Sequence, residues 1–170
     1  LDLLMGEILP EVTSLFRPSR KMTVSEWADR ERQLSPESSA EPGQWRTSRA
    51  EYLRGIMDAW TAPETEEITV MKSARVGGTE AINNGIGYSI CEDPGPILVV
   101  QPTLDSSRKY SKDILDPMIR DTKVLALKVS EAKARDRSNT ILHKKFKGGT
   151  FYMVGANTPT SFRQMAIRYI

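Results

Sequence analysis

The residues best suited to chemistry gather in Lys72-Ser-Ala-Arg-Val-Gly-Gly-Thr79. One lysine, one arginine, paired glycines and a closing hydroxyl are the parts of a polyphosphate cradle. Paired glycines let successive backbone N–H groups turn toward one anion. A helix starting there adds its own free N–H groups and dipole. The common phosphate-binding loop reads G-x-x-x-x-G-K-[ST]. Gly77 takes the second glycine position and Thr79 the hydroxyl position, while Lys72 stands for the first glycine and Gly78 for the lysine. The phosphate cation is therefore expected from Lys72, with Arg75 second, because an ammonium on a long stem reaches the same point from another origin. Lys72 and Arg75 are the candidate catalytic charges. Lys72, Ser73, Ala74, Arg75, Val76, Gly77, Gly78 and Thr79 are the candidate nucleotide contacts, with Thr79 a magnesium ligand. A plain tight turn fits Gly-Gly-Thr as well.

Three further places carry candidate residues. Gln101 ends an apolar run, followed by Pro102 and Thr103. Strand ends of this kind form the ligand crevice of α/β sheets, so Gln101 is a candidate phosphate sensor or DNA contact, against an ordinary strand-to-helix loop. Arg163, in the polar loop after Gly155, has the same two roles open to it, against a plain surface loop. Between 123 and 147, Lys123, Lys128, Lys133, Arg135, Arg137, Lys144, Lys145 and Lys147 face only Glu131 and Asp136. Such a patch suits nucleic-acid phosphates, and Lys144, Lys145 and Lys147 are its candidate DNA contacts. A solvated face is the plainer alternative. His143 has no Cys or His partner in zinc spacing, and the acidic neighbours of Cys91 are expected to raise its thiol pKa.

The elements that must position these residues alternate. Thr23-Val-Ser-Glu26 is a capping box, predicting a helix over about 24–33. The Ser- and Pro-rich stretch 35–45 predicts an extended linker. A second capping box, Ser48-Arg-Ala-Glu51, predicts a helix with Tyr52, Leu53, Ile56, Met57 and Trp60 on one face, closed by Pro63. Residues 67–71 predict a strand, and 79–89 a helix. Residues 96–100 predict a buried parallel strand, and Thr103 caps a helix to about 119. Strands over 139–146 and 150–154 flank a Lys147-Gly-Gly149 hairpin. A short helical turn is expected near 161–165 and another strand over 166–170. This order predicts an α/β domain with a mainly parallel sheet over 48–170, preceded by a helical arm and linker over 1–47.

Composition narrows the function classes. The chain has 170 residues, 24 Lys+Arg against 22 Asp+Glu, and 39% apolar residues, enough for one domain with a real core. One cysteine excludes an intrachain disulfide framework. No apolar run approaches the roughly 20 residues of a membrane helix, and the N-terminus is a poor signal peptide. With no methionine at position 1, the chain is expected to be an excised segment.

Residues 16–45, then VMKSARVGGTE (70–80), LVVQPTLDSSRKYSKDILDPMIRD (98–121), NTILHKKFKGGTFYMVGA (139–156) and SFRQ (161–164), resemble the large subunit of tailed-phage terminases, in the lambda-like GpA branch. In that branch the phosphate loop begins K-S-A-R-V-G, as in Lys72 to Gly77. The resemblance implies a P-loop NTPase of the additional-strand type using ATP and Mg2+. It implies a motor that drives double-stranded DNA into a procapsid in the host cytoplasm, with a small subunit, a portal, and several copies of the motor as partners and no membrane.

Three departures from the family pattern matter. Glu80 stands where the branch often has a second lysine, so the phosphate clamp leans on Lys72. Leu53 stands where related motors use a glutamine for adenine. The family's Walker B Asp-Glu pair would follow Ile170, so this segment alone is expected to show little ATPase activity. A helicase-like ATPase and a non-catalytic DNA- or portal-binding module are the other readings.

Overall fold

The computed structural model of the chain describes residues 22–129, 140–158, 162 and 165–170. Thr23 starts the first helix as the capping box requires: its hydroxyl accepts from Glu26 N, and Glu26 returns a carboxylate to Thr23 N. This helix, α1 (Val24–Glu31), buries Val24, Trp27 and Ala28. The next stretch is not an open linker. β1 (Gln33–Leu34) pairs antiparallel with β2 (Gly43–Gln44), and Trp45 is buried with its Nε1 donating to Thr47.

The second capping box does not form. A 3-10 turn, Thr47–Leu53, starts at Arg46 without a side-chain cap, and Glu51 binds Arg54 instead. The helix that follows, α2 (Arg54–Ala59), presents Met57 inward, while Tyr52 is exposed. The strand expected over 67–71 is also absent. Those residues pair with no described strand, and Met71 is fully exposed. β-branched residues favour a pleated surface only where a neighbour supplies the ladder.

α3 (Gly78–Cys91) is the central helix, flanked by α1, α2 and α6 (Lys123–Lys128). Its small residues let two indoles lie on its backbone. A Cβ on Gly85 would meet Trp60 Cε3 at 2.8 Å, and one on Gly87 would meet Trp27 Cζ3 at 2.8 Å. β3 (Ile97–Gln101) follows, then a continuous helical run capped by Thr103: α4 (Leu104–Tyr110), a π turn over Ser111–Leu115, and α5 (Asp116–Asp121). β4 (His143–Phe146) and β5 (Gly149–Gly155) form the expected hairpin, with Gly148 at φ 92° in its turn.

The larger sheet has the order β3-β5-β4. β3 and β5 are parallel, with Val99 opposite Met153, and β4 is antiparallel to β5. The sheet is therefore mixed rather than mainly parallel, in a mixed α/β fold. On the free edge of β3, Tyr169 makes a parallel bridge to Ile97, the one trace of the strand expected over 166–170. α4 covers β3 and β5. The helical turn expected near 161–165 falls largely outside the described residues.

Candidate functional site

Residues 72–79 join the unpaired segment 67–71 to α3. The turn is built from two left-handed residues, Arg75 at φ 63° and Gly77 at φ 74°. A non-glycine residue in this region costs energy and is typically held by its surroundings. Here Tyr52 Oη donates to the Val76 carbonyl at 3.1 Å, and Leu53 lies under Gly77, 3.1 Å from where a Cβ would stand. Tyr52 was expected on the apolar face of a helix. The structure uses its hydroxyl to brace the loop, a role the apolar spacing alone does not suggest.

Gly77 is the N-cap of α3 and offers no side chain, so among the described residues the first-turn N–H groups have no side-chain acceptor. A left-handed residue leading into free N–H groups is the backbone form of an anion nest. Lys72 bends across this point. A Cβ on Gly78 would lie 2.5 Å from Lys72 Cε and 3.5 Å from its Nζ. Glycine at 78, where the common loop has lysine, thus makes room for a lysine arriving from position 72. Neither Lys72 nor Arg75 is in an ion pair with a described residue. Lys72, Ser73, Ala74 and Arg75 are all exposed.

Thr79 is exposed and lines a cavity of about 610 Å³ together with Gln101, Ile82, Ile68 and the β3 residues Ile97 to Val100. The carboxyl end of β3 and the amino end of α3 therefore open on one space. Lys72 and Gly78 line a smaller apolar cavity of about 230 Å³ with Ile56, Trp60 and Val70. Among the described residues, no group of three or more His, Cys, Asp or Glu side chains is placed to hold a metal ion. The Thr79 hydroxyl beside the loop suits a hard cation shared with phosphate oxygens, which is how magnesium is usually held.

Glu80, the next residue, belongs to a buried polar cluster. Arg32 donates to it at 3.0 Å, Asn83 donates at 3.2 Å, and Tyr110 Oη donates to Asn83 at 2.5 Å. Burial pulls the Arg32 guanidinium below its ordinary value, opposed by Glu80. Burial, with the Glu80 charge, pushes the Tyr110 hydroxyl well up. No motif in the sequence links these positions.

The basic stretch divides. Lys145 and Lys147 are exposed on the β4–β5 hairpin, but Lys144 is buried and paired with Asp116 at 2.7 Å. Strand alternation explains this: Lys144 and Phe146 share the inward face. Lys144 is thus neutralised inside the protein rather than presented to a duplex. Lys133, Arg135, Arg137 and Arg163 lie outside the described residues. His143 stacks on Tyr152 at 4.9 Å, and burial, then the Lys145 charge, lowers its pKa. Burial, more than its acidic neighbours, pushes the Cys91 thiol up to about 11, against the opposing Lys128 charge. No helix among the described residues is long and apolar enough to cross a membrane.

A family model described as phage terminase large subunit gpA, ATPase domain, matches residues 39–170. The chain is 31% identical over 155 residues to the terminase large subunit of Escherichia phage lambda, covering 91% of this chain and 24% of that protein. It is 29% identical over 163 residues to the terminase large subunit of Enterobacteria phage P21, covering 95% of this chain and 25% of that protein. The chain spans about a quarter of the length of these curated relatives. No solved structure matches it.

Proposed function

Because the chain belongs to the family of phage terminase large subunit ATPase domains, we propose that residues 72–79 bind MgATP for a motor that packages double-stranded DNA. The observation that carries this reading is the crossing of Lys72 over Gly78 at an uncapped helix start. The N–H groups of Gly77, Gly78 and Thr79 take the phosphate oxygens. Lys72 neutralises the transferred phosphate, Arg75 adds a second positive charge, and Thr79 Oγ1 holds magnesium. Magnesium, when bound, screens the phosphate charge and polarises the reacting group. Phosphoryl transfer depends mostly on such positioning and charge stabilisation. Gln101, opening on the same cavity as Thr79, senses the phosphate state, and Arg163 is assigned the same role on its sequence position.

The domain is of the additional-strand P-loop type, with the arm 1–47 ahead of the ATPase unit 48–170. Support comes from the free edge of β3. Leu98 N donates to Tyr169 O at 2.8 Å, beginning a parallel ladder, and Ile68 and Ile170 line the cavity along that edge. A further parallel strand there would give the segment 67–71 a neighbour and make the sheet mainly parallel.

Lys145 and Lys147 contact DNA phosphates. The remaining partners are a terminase small subunit and the portal of a procapsid. The motor works as an oligomer in the cytoplasm of the host bacterium. Titration of fluorescent ATP with Mg2+ against wild type and Lys72→Ala tests the nucleotide site. A clear loss with Lys72→Ala is expected; equal, negligible binding by both points instead to a DNA- or portal-binding module.

A further inference from the structure

Glu80 sits one residue past Thr79, in the first turn of α3. A free carboxylate there would repel a polyphosphate at the same helix end. Glu80 is not free. Its Oε2 accepts from Arg32 Nη2 at 3.0 Å and its Oε1 from Asn83 Nδ2 at 3.2 Å. Glu80 lines neither the cavity of Thr79 and Gln101 nor that of Lys72 and Gly78. Its charge is drawn to another side of the helix.

The cation that draws it comes from far away in sequence, 48 residues earlier, at the end of α1. The Arg32 side chain is 2% exposed. Its Nη1 donates to the Gln33 carbonyl, while its Nε has no partner among the described residues. Tyr110 closes the far side through Asn83 at 2.5 Å. A buried ion pair is a poor source of stability, since apolar residues of similar volume often do as well or better. Its value here lies in where it holds the charge.

We propose that Arg32 is a positioning residue for nucleotide binding, neutralising Glu80 and holding its carboxylate on the Asn83–Tyr110 side of α3, away from the phosphate cradle. The inference rests on the reading of 72–79 as a nucleotide site. The arm thereby sets the electrostatics of the loop without touching the ligand.

The test is a titration of fluorescent ATP with Mg2+. Arg32→Met releases a unit charge beside doubly charged MgATP. Across about 8 Å of water at low ionic strength this raises Kd about sixfold. Glu80→Gln removes the same charge and leaves Kd at or below the wild-type value, although it strands the buried guanidinium and lowers the melting temperature. The double variant Arg32→Met, Glu80→Gln returns Kd to wild type. Opposite effects from the two partners of one ion pair are the signature of charge placement. A purely structural bridge gives losses of the same sign.

If Arg32→Met does not fold, Glu80→Asp makes the same comparison. It keeps the charge but withdraws it from Arg32, and it is expected to weaken binding where Glu80→Gln does not. Equal losses from Arg32→Met and Glu80→Gln, an unchanged Kd in Arg32→Met, or an unchanged Kd in Glu80→Asp would overturn the inference. If those results come with Lys72-dependent binding intact, only this inference falls. Wild-type binding that is absent or indifferent to Lys72→Ala overturns the nucleotide reading and this inference together.

Discussion

Replacing Gly78 by alanine sets the chemistry of the loop against its packing. Gly78 opens α3 and has no positive φ, so alanine meets no backbone strain there. Helix propensity alone favours alanine by up to about 1 kcal/mol. The new methyl carbon would stand 2.5 Å from Lys72 Cε, where ordinary contact begins at 3.4 Å, so the lysine stem must move by about 1 Å. The stem is flexible, so the lysine yields and the helix stays. A hydrogen bond to a charged group is worth about 1.5–3 kcal/mol. Losing about 1.4 kcal/mol of it raises Kd about tenfold.

Gly78→Ala should therefore bind MgATP about tenfold more weakly, while its melting temperature holds or rises by about 2 °C. A fluorescent-nucleotide titration and a thermal melt of the same sample read both. Because the two residues act through one contact, Lys72→Ala and Gly78→Ala together should cost no more than Lys72→Ala alone. Unaltered affinity in Gly78→Ala, or losses that add fully, would refute the reasoning.

Gly87→Ala should be destabilising by about 1–3 kcal/mol, because its methyl collides with Trp27 and comes within 3.1 Å of Met118 Cε; a urea midpoint that does not fall would contradict this. The lowered His143 pKa means that the unfolded chain takes up the proton first. Stability should be full above the ordinary value of 6.5 and decline as pH falls below it toward the folded pKa, and His143→Phe should flatten that decline in melts at several pH values. Lys145→Gln and Lys147→Gln should each lower the salt slope of DNA binding by about 0.9, whereas Lys144→Met should leave the slope alone and lower stability; filter binding at several salt concentrations measures the slopes, and a thermal melt the stability.

What the sequence disclosed follows from the range of the forces involved. Thr23 and Glu26 satisfy neighbouring N–H groups, so their helix start is legible three residues at a time. The apolar run before Gln101 and the turn at Gly148 are equally local. Ser48 and Glu51 carry the same signature as Thr23 and Glu26, but Arg54 competes for Glu51 and wins. Segment 67–71 has strand composition, yet a strand is a relation between two segments, and composition does not supply the second. The candidate loop was visible as residue types; the bend of Lys72 across Gly78 and the brace from Tyr52 were not. Lys144 was legible in principle, since Phe146 fixes which face of β4 is inward. The Arg32–Glu80 pair was beyond reach, because nothing short of the folded chain brings those positions together.

The seat of Trp27 on Gly87 decides where this protein can be cut. The match to the ATPase-domain family begins at residue 39, but Trp27 is wholly buried, and a side chain of that kind contributes about 3 kcal/mol by leaving water. A truncation at residue 39 would open a greasy trench along the helix that follows residues 72–79 and would strip Glu80 of its counter-ion. Preparations trimmed there should clump, while those retaining Thr23 onward keep the trench roofed.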